Sequence, residues 1–213
     1  MSTARRLLLS GGVGPSGEEV FTSSGTWTAP AGVYLVSVVA IGQGGTGSRE
    51  VLNGGTTIRS RGGGGGGLGW KNEISVVPEQ DYTVSITSSG SYFISQGTVW
   101  GEAGGTPNPP ASTDSSGGIF VGDGGGDGGD GSSATGPLSQ EFIIAGGGDA
   151  GNYNSDGANG TSLYNQVSTA VNTGDGSGLS GSDTGIYGSG GTSYVAGGSG
   201  AVQIRWGINK DFS

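Results

Sequence analysis

Apolar positions fall into short runs, either alternating with polar residues or continuous over a few positions, and no segment keeps helical spacing. Residues 33–41 (VYLVSVVAI) are β-branched and apolar at nearly every position, which predicts a strand buried on both faces. Tyr82, Val84 and Ile86 alternate with Asp81, Thr83, Ser85 and Thr87, the period-two signature of a half-buried strand. Val202, Ile204 and Trp206 alternate with Gln203 and Arg205 in the same way. Shorter strands are predicted over 20–22, 25–28, 74–76, 92–95, 117–121 and 141–145. The polar stretch 101–116 (GEAGGTPNPPASTDSS) is too long for a simple hairpin and reads as a loop.

Between these strands lie glycine tracts at 61–69 (RGGGGGGLG), 122–131 (GDGGGDGGDG), 146–148 and 174–200. Glycine supplies 52 of 213 residues, far above the usual ~7%. Ordering a glycine costs roughly 0.5–1 kcal/mol more than ordering an alanine, so ordered tracts require backbones that pack closely. Glycine allows this because it has no Cβ to hold chains apart. One solution is a set of polyproline-II-like segments, three residues per turn, hydrogen-bonded laterally. Gly122, Gly125, Gly128 and Gly131 keep that spacing. The alternative is a set of flexible linkers.

The formal net charge of −9 opposes nucleic-acid binding and attraction to anionic membranes, and no apolar run approaches the ~20 residues of a membrane span. Near the start, Leu7, Leu8 and Leu9 are too few for the roughly 7–15 residues of a secretory core, so export by that route is not expected. Histidine and cysteine are absent, which removes imidazole bases, thiolate nucleophiles, disulfides and thiolate or imidazole metal sites. Asp123, Asp127 and Asp130 are weak candidates for a Ca²⁺ site, since the aliphatic positions of a calcium-binding β-roll are missing. No phosphate loop occurs, because Lys71 follows Trp70 and precedes Asn72. The glutamates show no marked pair for glycan hydrolysis. A non-enzymatic protein without cofactor is therefore expected.

Aromatics flanked by small polar residues make contact surfaces at little entropic cost. Tyr92, Phe93, Trp100, Tyr153, Tyr164 and Tyr187 are the candidates, with Trp27, Tyr34, Tyr82 and Trp206 assigned to the core. Residues 1–17 form a candidate attachment segment, in which Arg5 and Arg6 can meet acidic groups and Leu7, Leu8 and Leu9 can bury against a partner. The domain organisation read from this pattern is 1–17, a glycine-rich β domain over 18–207, and a tail over 208–213.

Two stretches carry a family resemblance. Phe21, Gly25, Trp27, Pro30 and Gly32, ahead of the valine-rich strand, resemble the F-x-x-x-G-x-[WF]-x-x-P-x-G opening of bacteriophage glycine-rich domains. Residues 198–206 (GSGAVQIRW) resemble the G-x-G-A-V-x-[IV]-x-[WY] close of the same family. Together they frame residues 20–207, nearly the whole chain. The resemblance implies an all-β, glycine-rich, sandwich-like module with polyglycine-II packing, commonly trimeric, in a tail-fibre or adhesin-type virion appendage. It implies other virion proteins and a host surface glycan or outer-membrane protein as partners. A structural decoration of the head or neck, or an accessory to a polysaccharide depolymerase, are the alternatives.

Overall fold

The computed structural model describes residues 15–108, 115–139, 143–164, 174–179, 186–193, 195–208 and 210–213. The protein is all-β. Its strands in the first half are β1 (Gly17–Phe21), β2 (Gly25–Thr28), β3 (Leu35–Ile41), β4 (Ser48–Leu52), β5 (Thr57–Arg61), β6 (Leu68–Ser75), β7 (Asp81–Thr87), β8 (Gly90–Phe93) and β9 (Val99–Glu102). Then come β10 (Phe120–Val121), β11 (Gly124–Gly126), β12 (Ser133–Pro137), β13 (Ile143–Ala145), β14 (Ser162–Tyr164), β15 (Ser177–Gly178), β16 (Ile186–Tyr187) and β17 (Ala201–Trp206).

Two five-stranded antiparallel sheets, ordered β1-β17-β3-β6-β11 and β10-β9-β8-β7-β2, share one apolar core. The alternation along β3 explains why it carries so few polar residues. Val36, Val38 and Ala40 enter the core between the two sheets, while Val39 and Ile41 enter a second cluster with Leu68, Leu179, Tyr187, Ala201 and Phe212. On β17, Val202 and Ile204 face the first core and Ala201 the second. The aromatic residues of the two sequence motifs meet here, with the Trp27 and Trp206 rings 5.7 Å apart. Tyr34, assigned to the core from sequence, is instead 65% exposed: it precedes β3 at the sheet's end, where nothing packs over it. The tail is not loose. Phe212 is buried and stacks on Tyr153, Asn72 and Phe212 exchange hydrogen bonds, and Ser37 donates one to Asp211.

Three of the four tryptophans have a common placement. Trp206 lies over Gly17 and Trp70 over Gly124, their cross-strand partners, and Trp100 reaches over Gly90. Each indole covers sheet backbone that a glycine leaves bare, a known device for stabilising glycine in strands.

Over the described residues the glycine tracts pack closely and continue the strands. Beyond β3 the chain runs through 42–47 into β4, and from β5 it returns through 62–67 into β6. A bundle thus joins the sandwich to a three-stranded sheet, β12-β5-β4, at the far end. Residues 62–67 are its centre, and their hydrogen bonds repeat every three residues. The amides of Gly62 and Gly65 donate to Ser132 and Gly129, those of Gly63 and Gly66 to Gly191 and Gly188, and those of Gly64 and Gly67 to Gly105 and Glu102. Their carbonyls use three other directions. Gly64 and Gly67 accept from Gly45 and Gly42, and Gly63 and Gly66 from Gly148 and Gly151. Gly65 accepts from Gly118 and Gly62 from the Ser115 hydroxyl. The central segment therefore contacts its neighbours in six directions, with the three-residue periodicity of polyproline-II geometry. A Cβ at any of these six glycines would fall under 3.0 Å from a backbone carbonyl oxygen of another segment. No side-chain movement relieves such a clash, so glycine is required there by close approach.

The outer segments use side chains where the lattice ends. The Asp156 carboxylate and the Asn159 carboxamide, three residues apart, accept from the Asp127 and Asp130 amides, likewise three apart. The Gly157 and Gly160 amides return bonds to the Asp127 and Asp130 carbonyls. Polar residues at this spacing therefore cap the rim of the bundle.

Candidate functional site

The aromatic candidates separate into different environments. Tyr92 and Phe93 are consecutive on β8, so one must face the core and the other the outer surface. Phe93 is fully buried between the sheets, beside Trp27 and Tyr82. Tyr187 is also a core residue, in the second cluster. Neither offers a surface for contact, which corrects the expectation for both. Trp100 is half-buried on the same face as Tyr92, whose cross-strand partner it is. Tyr153 is half-buried against Phe212, and its carbonyl accepts a hydrogen bond from the Trp70 indole. Tyr164 ends β14, on the bundle's far side from the sandwich. Arg5, Arg6, Leu7, Leu8 and Leu9 lie outside the described residues.

The three aspartates of the glycine tract do not converge. Asp123 pairs with Lys71 at 2.6 Å and accepts from the Asn72 amide. The hydrogen bond from Lys71 is the main cause that holds the Asp123 carboxyl below its ordinary pKa; desolvation opposes it, and the Asn72 amide and the Lys71 charge add to it. Asp130 accepts from the Gly117 amide. Among the described residues no group of three or more aspartates and glutamates is placed to hold a metal ion. The Asp123 and Asp130 carboxylates instead accept from backbone amides and, for Asp123, from Lys71.

The sheet beyond the bundle concentrates charge on residues that carry no sequence motif. Register places Glu50 opposite Arg59 and Ser48 opposite Arg61, all on one face of β4 and β5. Glu50 Oε1 lies 3.3 Å from Arg59 Nη1 and 3.0 Å from Arg61 Nη1. Arg61 is 1% exposed, so Glu50 compensates a guanidinium with almost no access to water. On the opposite face Ile58 packs with Ala134 and Ile143, and the Ser60 hydroxyl donates to the Ile143 carbonyl. A three-stranded sheet with a small apolar face is thereby tied to β13. Period-two alternation over 57–61 was the available signal for β5, but its charged and hydroxyl residues hid it.

Strand β13, paired with β14, packs beside this sheet. Val51 of β4 and Leu138, which follows β12, are exposed. Strands β1 and β17, near the two ends of the chain, pair at the other extreme, in the sandwich. The arrangement is a broad base, a packed glycine stem and a small charged sheet at the opposite end. No family model matches the chain, and no curated protein matches it.

Proposed function

We propose that this chain is a bacteriophage virion protein, a tail-fibre or fibre-tip module that attaches the particle to the host-cell surface. The observation that supports this reading is the glycine bundle, which holds the β4-β5-β12 sheet away from the sandwich on a stem with lateral hydrogen bonds in six directions. The paired opening and closing motifs supply the family resemblance, and their aromatic residues pack together at the base. In this reading the base faces the particle, with residues 1–17 as attachment segment, and the far sheet faces the host. Contacts at a single far end are weak, and a trimer mounted on a fibre makes them effective through avidity. The protein acts by binding, without a reaction or a cofactor.

Immunogold labelling of particles with an antibody against residues 90–120 tests the reading. Label at the distal ends of tail appendages is expected. Label confined to the head or neck would overturn it in favour of a structural decoration. Sedimentation equilibrium tests the trimer separately, with three times the 20.7 kDa chain mass expected.

A further inference from the structure

The outer face of the second sheet carries a groove of about 590 Å³ along β7 and β8 that none of the packing or the bundle uses. Ser85 and Thr87 of β7, Tyr92 of β8, and Ile94 and Gln96 of the following turn line it. Strand β8, with four residues, runs about 13 Å along it at ~3.3 Å per residue, a length suited to a short chain of small rings.

Three properties of the groove point to one class of ligand. First, it contains no charged side chain, and a protein of net charge −9 repels anionic polymers. Second, it presents polar atoms without a hydrogen-bond partner among the described residues. Ser85 and Tyr92 are cross-strand partners, and neither the Ser85 hydroxyl, the Tyr92 hydroxyl nor the Gln96 carboxamide has a hydrogen-bond partner among the described residues. By contrast, Thr87 and Ser89 bond one another, and Ser95 bonds Thr98, so the turns at both ends of the groove are internally fixed. Third, Ile94 has φ +65, a left-handed conformation that a β-branched residue adopts only under constraint. It is held there by its amide donating to the Thr83 carbonyl at 2.8 Å and by the 95–98 turn. Strain of this kind clusters at binding sites because it fixes the positions of neighbouring groups. Here it fixes an apolar side chain beside Tyr92.

We infer that this groove binds a neutral oligosaccharide. The apolar C–H face of a sugar ring lies against Tyr92 and Ile94, while Ser85, the Tyr92 hydroxyl and Gln96 exchange hydrogen bonds with ring hydroxyls. This chemistry needs one aromatic face, adaptable donors and acceptors, and no net charge. The inference rests on the attachment reading and adds to the far sheet a second contact site, on the flank of the sandwich.

The test is calorimetric titration of the full chain with the neutral hexaoses of glucose, galactose, mannose and N-acetylglucosamine, with saturation-transfer NMR as second readout. At least one hexaose is expected to bind with a millimolar or tighter Kd. Tyr92→Ala should weaken it at least tenfold, and Ser85→Val, which fills the groove floor, should do likewise. Tyr92→Phe keeps the ring and should lose only about three- to tenfold. Tyr34→Ala, an exposed tyrosine beyond the groove, should leave binding unchanged, and unaltered near-ultraviolet circular dichroism certifies the fold of each variant. Absence of binding by all four hexaoses at 10 mM, or binding indifferent to both Tyr92→Ala and Ser85→Val, overturns the inference. Either result leaves the immunogold outcome untouched, so failure of the groove and failure of the attachment reading are separable.

Discussion

The sandwich and the glycine bundle are two halves of one chain held together by different physics. In the sandwich, Trp27, Val38, Phe93 and Ile204 interlock by shape and gain from leaving water. In the bundle, residues 62–67 have no side chains to bury, and cohesion comes from one mutually satisfied amide–carbonyl bond after another. Each such bond contributes about 0.5–1.5 kcal/mol net, while each glycine costs roughly 0.5–1 kcal/mol in extra ordering entropy. These nearly cancel, so the bundle is held in register by the strands that continue from both of its ends. The lesson concerns tolerance: an apolar core accepts a slightly different shape, whereas a backbone lattice accepts no added atom.

The sharpest way to break this contrast is Gly65→Ala. Its Cβ would collide with the Asp149 carbonyl, so we expect loss of folding or destabilisation above about 4 kcal/mol by guanidinium denaturation. Gly97→Ala, where only the Ser95 hydroxyl comes within 4 Å, should change stability by less than about 0.5 kcal/mol. If both substitutions behave alike, close packing of the bundle is refuted. In the sandwich, Phe93→Ala should cost about 3–5 kcal/mol, while Phe93→Leu should recover most of it because cores repack around apolar residues of similar volume.

At the far sheet, Glu50→Gln keeps size and removes the charge beside buried Arg61, so a loss of about 3 kcal/mol is expected in the same denaturation assay. A loss below about 0.5 kcal/mol would mean that water reaches the guanidinium. Calorimetry reads the comparison globally. Because the bundle buries little apolar surface, the heat-capacity change on unfolding should fall below the usual ~12–15 cal/mol/K per residue.

The smallest effect belongs to Asp123. Its folded pKa is depressed by Lys71, so its contribution to stability is present above the unfolded pKa and is lost as pH falls through the folded one. The pair is well exposed, so screening limits the contribution to within about 0.5 kcal/mol. Asp123→Asn should flatten that part of the acid limb and leave neutral stability nearly unchanged.

Strands β3, β7 and β17 were legible in the sequence because their alternation is strong and their partners are apolar. Strand β9 was not, because Val99–Glu102 holds a single aliphatic residue in four positions. Nor were β4 and β5, whose charged residues pair across the strands. The burial of Phe93 follows from the inward position of its partners Val84 and Val99, which becomes visible only with the register. Phe212 gave no sequence signal, since its neighbours come from residues 72 and 153.

By itself the sequence determined an all-β chain with a doubly buried central strand and glycine tracts able either to pack closely or to run as linkers, because alternation and the missing Cβ are local properties. Only the tertiary structure decided that the tracts form one lattice around residues 62–67, and that Tyr92 faces outward while Phe93 does not. It also decided that Asp123 binds Lys71 and the Asn72 amide while Asp130 binds the Gly117 amide, so that the aspartates of 122–131 do not gather. Those outcomes depend on which distant segment supplies each missing partner, and glycine, lacking a side chain, carries no mark of its neighbour.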